Sequence, residues 1–104
     1  MKHVLFELQG CPFSALDDEE HIKFCLLHAA EASHSQVLKI ETHKFEAYGV
    51  TGYALLAESH ISIHTWPEDG IARCDLFSCN SSTDYKSVIQ YMPVSYTHLR
   101  AHET

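Results

Sequence analysis

The sequence predicts an α+β domain, a two-layer sandwich in which helices cover one face of an antiparallel sheet. Three observations predict it. Several segments alternate apolar and polar residues with a period of two, the pattern of a strand with one buried face. Consecutive segments are joined by turns too short for a crossover, so they must run antiparallel. One segment instead carries its apolar residues at helical spacing and supplies the second layer.

Residues 2–8 alternate and read as the first strand. Asp17 and Glu20 have capping-box spacing in an Asp variant, and Ile22, Cys25, Leu26, Ala29 and Ala30 follow on one helical stripe. A helix is therefore expected over residues 17–33. The acidic run Asp17-Asp18-Glu19-Glu20 then lies at its favourable dipole end. Residues 37–45 alternate again, with Val37, Lys39, Glu41, His43 and Phe45 on one face. Residues 50–57, 60–66 and 71–79 read as three more strands. The segment WPEDG joins the last two as a hairpin, with Pro67 and Gly70 in turn roles. A second helix is expected over 83–92, capped by Ser81, Ser82 or Thr83.

A chain of 104 residues has room for one domain and one modest core. No apolar run approaches the ~20 residues of a membrane span. The start, MKHVLFELQG, is interrupted by Glu7 and has no small-residue cleavage site, so it does not read as a signal peptide. The expected compartment is the cytoplasm, with no membrane partner. A net charge of −7 argues against nucleic acid, where basic patches carry the affinity. The four cysteines form no CxxC pair, and a reducing cytosol disfavours disulfides. Cys11, Cys25 and Cys74 read as small buried apolar residues.

Chemistry concentrates in Ala57-Glu58-Ser59-His60-Ile61-Ser62-Ile63-His64-Thr65-Trp66-Pro67-Glu68. On a strand, Ile61 and Ile63 point one way and His60, Ser62, His64 and Trp66 the other. A zinc site built on His60, His64 and Cys79 fails on distance. Positions i and i+4 of a strand lie ~13 Å apart, too far to share one ion. No metal is expected. Two readings remain: histidines satisfied by hydrogen bonds in a sheet, or a catalytic segment.

The stretches YGVTG, ESHISIHTWPE and DLFSC, with HVLFELQGC and the HKF at His43-Lys44-Phe45, resemble the bacterial S-adenosylmethionine decarboxylase proenzymes. The resemblance runs from about His3 to Met92. It implies a self-processing enzyme. The Ser59 hydroxyl attacks the Glu58 carbonyl and converts the peptide bond to an ester. A base, His64, removes the Ser59 α-proton, and β-elimination releases the chain ending in Glu58. The dehydroalanine left behind hydrolyses to a pyruvoyl group and ammonia. That ketone replaces pyridoxal phosphate as electron sink, forming a Schiff base with the substrate amine. Cys79 is the implied proton donor, and an ordinary thiol with a pKa near ~8.5 is protonated at neutral pH.

By the same resemblance Phe45 stacks on adenine, Glu68 accepts from ribose hydroxyls and Glu7 faces the substrate's cationic end. Trp66 lines the pocket or packs the hairpin. Thr51 stands where the family usually has Ser; it keeps the hydroxyl that supports processing and adds a stiffening methyl group. The product, decarboxylated S-adenosylmethionine, serves polyamine and spermidine synthesis. The alternatives are the same chemistry on arginine or ornithine, or an unprocessed binding or regulatory fragment.

Ser59 and His64 are five residues apart on one strand, with opposite parity, so their α-carbons should lie ~16 Å apart. A homodimer with shared active sites resolves this. The resemblance implies Ser59, Cys79 and Glu7 from one subunit, and Thr51, Phe45, His64 and Glu68 from the other. Finally, Val94 to Thr104, VSYTHLRAHET, resembles the translation of a sequencing adapter. On that reading the decarboxylase domain is 1–92, cut short near Met92, and 93–104 is a non-native tail. His98, Arg100 and His102 then carry no functional argument.

Overall fold

A computed structural model describes residues 2–79, 85–90 and 98–103. In chain order it contains β1 (Lys2–Gln9), α1 (Phe13–Leu16), α2 (Glu19–Ala32), β2 (Val37–Lys44), β3 (Val50–Leu56), β4 (Ser59–Trp66), a 3-10 turn (Pro67–Asp69), β5 (Ile71–Ser78), α3 (Tyr85–Gln90) and β6 (His98–Glu103). The strands form one antiparallel sheet in the order β2-β3-β4-β5-β1-β6. The α+β sandwich expected from periodicity is the observed architecture.

Alternation decides the layers. Val4, Phe6 and Leu8 of β1, Ala54 and Leu56 of β3, Ile61 and Ile63 of β4, and Ala72 and Leu76 of β5 are buried. They form one core with Ile22, Cys25, Leu26, Ala29 and Ala30 of α2. Their strand neighbours point to the opposite, outer face. There Leu5, Tyr53, Leu55 and Trp66 are each at least 36 % exposed.

Two local expectations need correction. The α2 cap is Asp18, whose carboxylate accepts from the backbone N–H of Glu20 and His21 at 3.0 and 3.2 Å. Asp17 instead ends α1, a single turn too short to show a period. It accepts from Gly49 N–H at 2.8 Å and pairs with Lys44 at 3.0 Å. The backbone bond and the Lys44 ammonium hold its carboxyl below the usual range. On β2 a bulge between Val37 and Lys39 turns Val37 onto the core, while Glu41 and His43 stay outside. The second helix is present over Tyr85–Gln90, and the rest of its expected span, with the candidate caps Ser81, Ser82 and Thr83, lies outside the described residues. Residues 98–103, within the adapter-like stretch, pair with β1 along Val4–Gln9.

Thr65 faces inward, and its hydroxyl joins three elements. It accepts from Val50 N–H at 2.8 Å and donates to the Leu16 carbonyl at 2.8 Å. Both bonds are buried, so Thr65→Val should destabilise the fold by about 1–3 kcal/mol by leaving two backbone groups unsatisfied. Urea titration checks this; an unchanged midpoint would refute it.

Candidate active site

Register arranges the outer face in rows across the strands. Thr51 of β3 faces His64 of β4, His64 faces Arg73 of β5, and Arg73 faces Glu7 of β1. Within this row Thr51 Oγ1 and His64 Nδ1 are 3.1 Å apart. Arg73 Nε donates to Glu7 Oε1 at 2.9 Å, and its guanidinium lies 5.2 Å from the Trp66 ring centre. Trp66 and His64 rings are 6.4 Å apart. Phe45 follows the end of β2, exposed, its ring edge-on to His43 at 4.8 Å. Glu68 follows Trp66 in the 3-10 turn and is exposed. Five candidates, Phe45, Thr51, His64, Trp66 and Glu68, thus gather at one end of the sheet.

The two glycines around Thr51 put it there. Gly49 has φ +105°, where other residues are strained, and its N–H meets Asp17. At Gly52 a Cβ would sit 2.8 Å from Thr42 Cγ2 and 3.1 Å from Leu26 Cδ1, so only glycine lets α2 and β2 approach β3. Between them the Thr51 side chain faces outward, toward His64.

The remaining candidates occupy the other end. Leu56 pairs with Ser59, closing a tight turn over Ala57 and Glu58. Glu58 has φ +65°, a left-handed conformation that hairpin turns normally give to Gly or Asn. The Glu58–Ser59 peptide bond follows directly. Ser59 also pairs with Ser78, and Cys79 is the next residue of that chain segment. Ser59 is half-buried and shares the inward parity of Ile61, whereas His64 points outward. Five residues of strand separate them, ~16 Å. One chain does not bring them together. The antiparallel register sets Glu7 in the His64 row of its own chain, where Arg73 engages its carboxylate.

A family model for S-adenosylmethionine decarboxylase matches residues 2–102. The chain belongs to the S-adenosylmethionine decarboxylase family. It is 47 % identical over 91 residues to an S-adenosylmethionine decarboxylase proenzyme of Synechococcus, covering 88 % of this chain and 71 % of that protein. It is 51 % identical over 78 residues to the Methanococcus vannielii proenzyme, covering 75 % of this chain and 64 % of the relative. The crystal structure of the adenosylmethionine decarboxylase from Aquifex aeolicus superimposes with a TM-score of 0.88 at 28 % identity, over 99 % of this chain and 87 % of that one.

Like its expected role, the environment of Cys79 sets it apart from the other thiols of this decarboxylase-family chain. Cys79 is exposed; Cys11, Cys25 and Cys74 are buried. Burial pushes the Cys25 thiol up to about 12 and raises Cys74 well above its ordinary value. A thiol raised in this way is a weaker acid, and so a poorer proton donor, than an ordinary one.

Sequence reasoning passed over Arg73 and Asp75. The signal was available, because both alternate with buried Ala72, Cys74 and Leu76 and so must face outward with the histidines. Asp75 Oδ2 lies 2.8 Å from His3 Nε2 and 3.2 Å from His60 Nε2, and Ser62 donates its hydroxyl to Oδ1. Burial pushes the Asp75 carboxyl up, but the bonds from Ser62, His3 and His60 outweigh it and hold it below the ordinary range. Two of the puzzling strand polar residues, His60 and Ser62, are thereby satisfied by hydrogen bonds. Among the described residues no group of three or more His, Cys, Asp or Glu is arranged to hold a metal ion. No described helix is long and apolar enough to cross a membrane.

Proposed function

We propose that this chain is the precursor of a pyruvoyl-dependent S-adenosylmethionine decarboxylase that cuts itself between Glu58 and Ser59. The observation that carries this reading is the backbone at Glu58. A non-glycine residue at φ +65° immediately before a serine stores strain next to the bond that would break, roughly 1–3 kcal/mol. Ser59 Oγ attacks the Glu58 carbonyl carbon, the C–N bond becomes a C–O ester bond, and the nitrogen takes up a proton. His64 from a second copy removes the Ser59 α-proton, the Glu58 carboxylate leaves, and water then displaces ammonia. The residues fit the group so formed, because Ser59 supplies its three carbons. That group supplies an electron sink for loss of carbon dioxide.

The other residues bind and move protons. Thr51 Oγ1 orients the His64 ring through Nδ1, leaving Nε2 for proton transfer. Cys79, exposed beside the Ser59 end, donates a proton to the substrate α-carbon. Exposed Phe45 and Glu68 sit at the His64 end, where an aromatic face and a carboxylate suit a nucleoside. This favours S-adenosylmethionine over arginine or ornithine and a role in supplying polyamine synthesis. The two ends meet where two copies pack together as a homodimer. The exposed apolar residues of the outer face support such packing.

Mass spectrometry of purified protein tests the reading. Two fragments are expected, one ending in Glu58 and one beginning with a pyruvoyl group at position 59. A single intact chain would refute it and favour the binding or regulatory alternative. Cys79→Ala should still be cut, yet turn over S-adenosylmethionine at least about 100-fold more slowly, the range expected on losing a general acid. Wild-type kcat in that variant would remove Cys79 from the role.

A further inference from the structure

Cleavage would change what holds the start of β4. In the intact chain residue 59 is tethered on both sides, by the turn over Ala57 and Glu58 and by its pairs with Leu56 and Ser78. After cleavage residue 59 is a chain end. Its nitrogen has left as ammonia. Chain ends fray unless something ties them down. Yet productive chemistry needs the reactive carbon in place, and a misplacement of about 1 Å can cost 100-fold.

The first side chain after the cut is His60. Its ring stacks on Phe77 with centres 5.8 Å apart and planes 10° apart, and its Nε2 reaches Asp75 Oδ2 at 3.2 Å. An ionised carboxylate only accepts, so His60 and His3 both donate to it through Nε2–H. Asp75 in turn sits on β5, and His3 on β1, neither of which is cut. Ser62 adds a second bond from β4 to the same carboxylate. The cut strand is thus tied by side chains to uncut β5, and through Asp75 to His3 of β1, starting at the residue next to the break.

We propose that the Asp75 carboxylate, acting through His60, is a clamp that keeps the newly cut end of β4 in position for turnover. Asp75 and His60 are positioning residues on this view, needed after cleavage and not for it. The inference rests on the cleavage reading above.

The test compares His60→Ala, His60→Gln and Asp75→Ala with wild type, and each variant again in a Ser59→Ala background that stays uncut. In the cleavable background all three should give the same two fragments as wild type. His60→Ala and Asp75→Ala should lose about 10- to 100-fold in kcat with KM changed less than about twofold, because the substrate contacts are elsewhere. His60→Gln, which still donates to Asp75, should recover most of that loss. Amide exchange over residues 60–64 should be faster in cut His60→Ala than in cut wild type, but equal between the two uncut chains. Equal kcat per pyruvoyl, or exchange unaltered by cutting, would overturn the clamp and leave the cleavage reading standing. Fast exchange in the uncut variants would also overturn it, since the cluster would then be holding the fold and not the cut end. An intact wild-type chain would overturn both.

Discussion

Ser59→Ala is expected to leave the chain in one piece. The loss should be complete, because the reaction needs a hydroxyl in a five-membered ring with the preceding carbonyl. Only the side chain of residue 59 has that relation to the Glu58 carbonyl. Ser62→Ala, which removes a nearby strand hydroxyl that donates to Asp75, should still be cut. A second pair of variants separates backbone strain from side-chain chemistry. Glu58→Ala keeps the left-handed strain at φ +65°, whereas Glu58→Gly relieves it. Relief of about 1 kcal/mol from the ground state should slow cleavage by about fivefold relative to Glu58→Ala. Fragment masses over a time course after synthesis measure all four variants. Two normal fragments from Ser59→Ala would end the pyruvoyl reading. Equal rates for the two Glu58 variants would show that strain contributes nothing.

Mixing two dead variants is expected to restore cleavage. Ser59→Ala keeps His64 but has no nucleophile; His64→Ala keeps the nucleophile but has no base. Within one chain the two positions are separated by ~16 Å of strand and point to opposite faces, while proton transfer needs contact at ~3 Å. A two-fold dimer places each copy's His64 at the other's Ser59. In a mixed dimer one site combines the intact Ser59 with the intact His64, and the other has neither. Random mixing at equal amounts should therefore cut about a quarter of all chains, all of them His64→Ala chains. Each variant alone should stay intact. No cleavage in verified mixed dimers would refute the shared site, and cutting of the Ser59→Ala chain would refute the mechanism.

Much of the architecture was legible because it is written in local patterns. Strand alternation put Ile61 and Ile63 inside and His60, Ser62, His64 and Trp66 outside, as observed. The WPEDG hairpin follows from turn chemistry, with Gly70 left-handed at φ +67°. The separation of Ser59 from His64 needed only strand rise and parity. What misled was also local. Two adjacent aspartates offered two capping registers, and Asp18 took the cap because Asp17 bonds Gly49, 32 residues away. The bulge at Val37 broke an alternation that looked continuous.

The sequence by itself determined the two-layer class and the face each β4 side chain takes, while the Glu58-Ser59 junction and Cys79 stand out only through the family resemblance. Class and face depend on period and turn residues, settled within a few positions. Only the tertiary structure decided which side chains meet. Asp75 gathers His3 and His60 from positions 72 and 15 residues away, Arg73 takes the Glu7 carboxylate from 66 away, and Thr51 meets His64 across 13. The reason is physical. A strand's pattern tells which face a residue occupies, but its partner depends on which strand lies alongside and in what register. Here β1 lies beside β5, so the start of the chain brings His3 to Asp75 and Glu7 to Arg73.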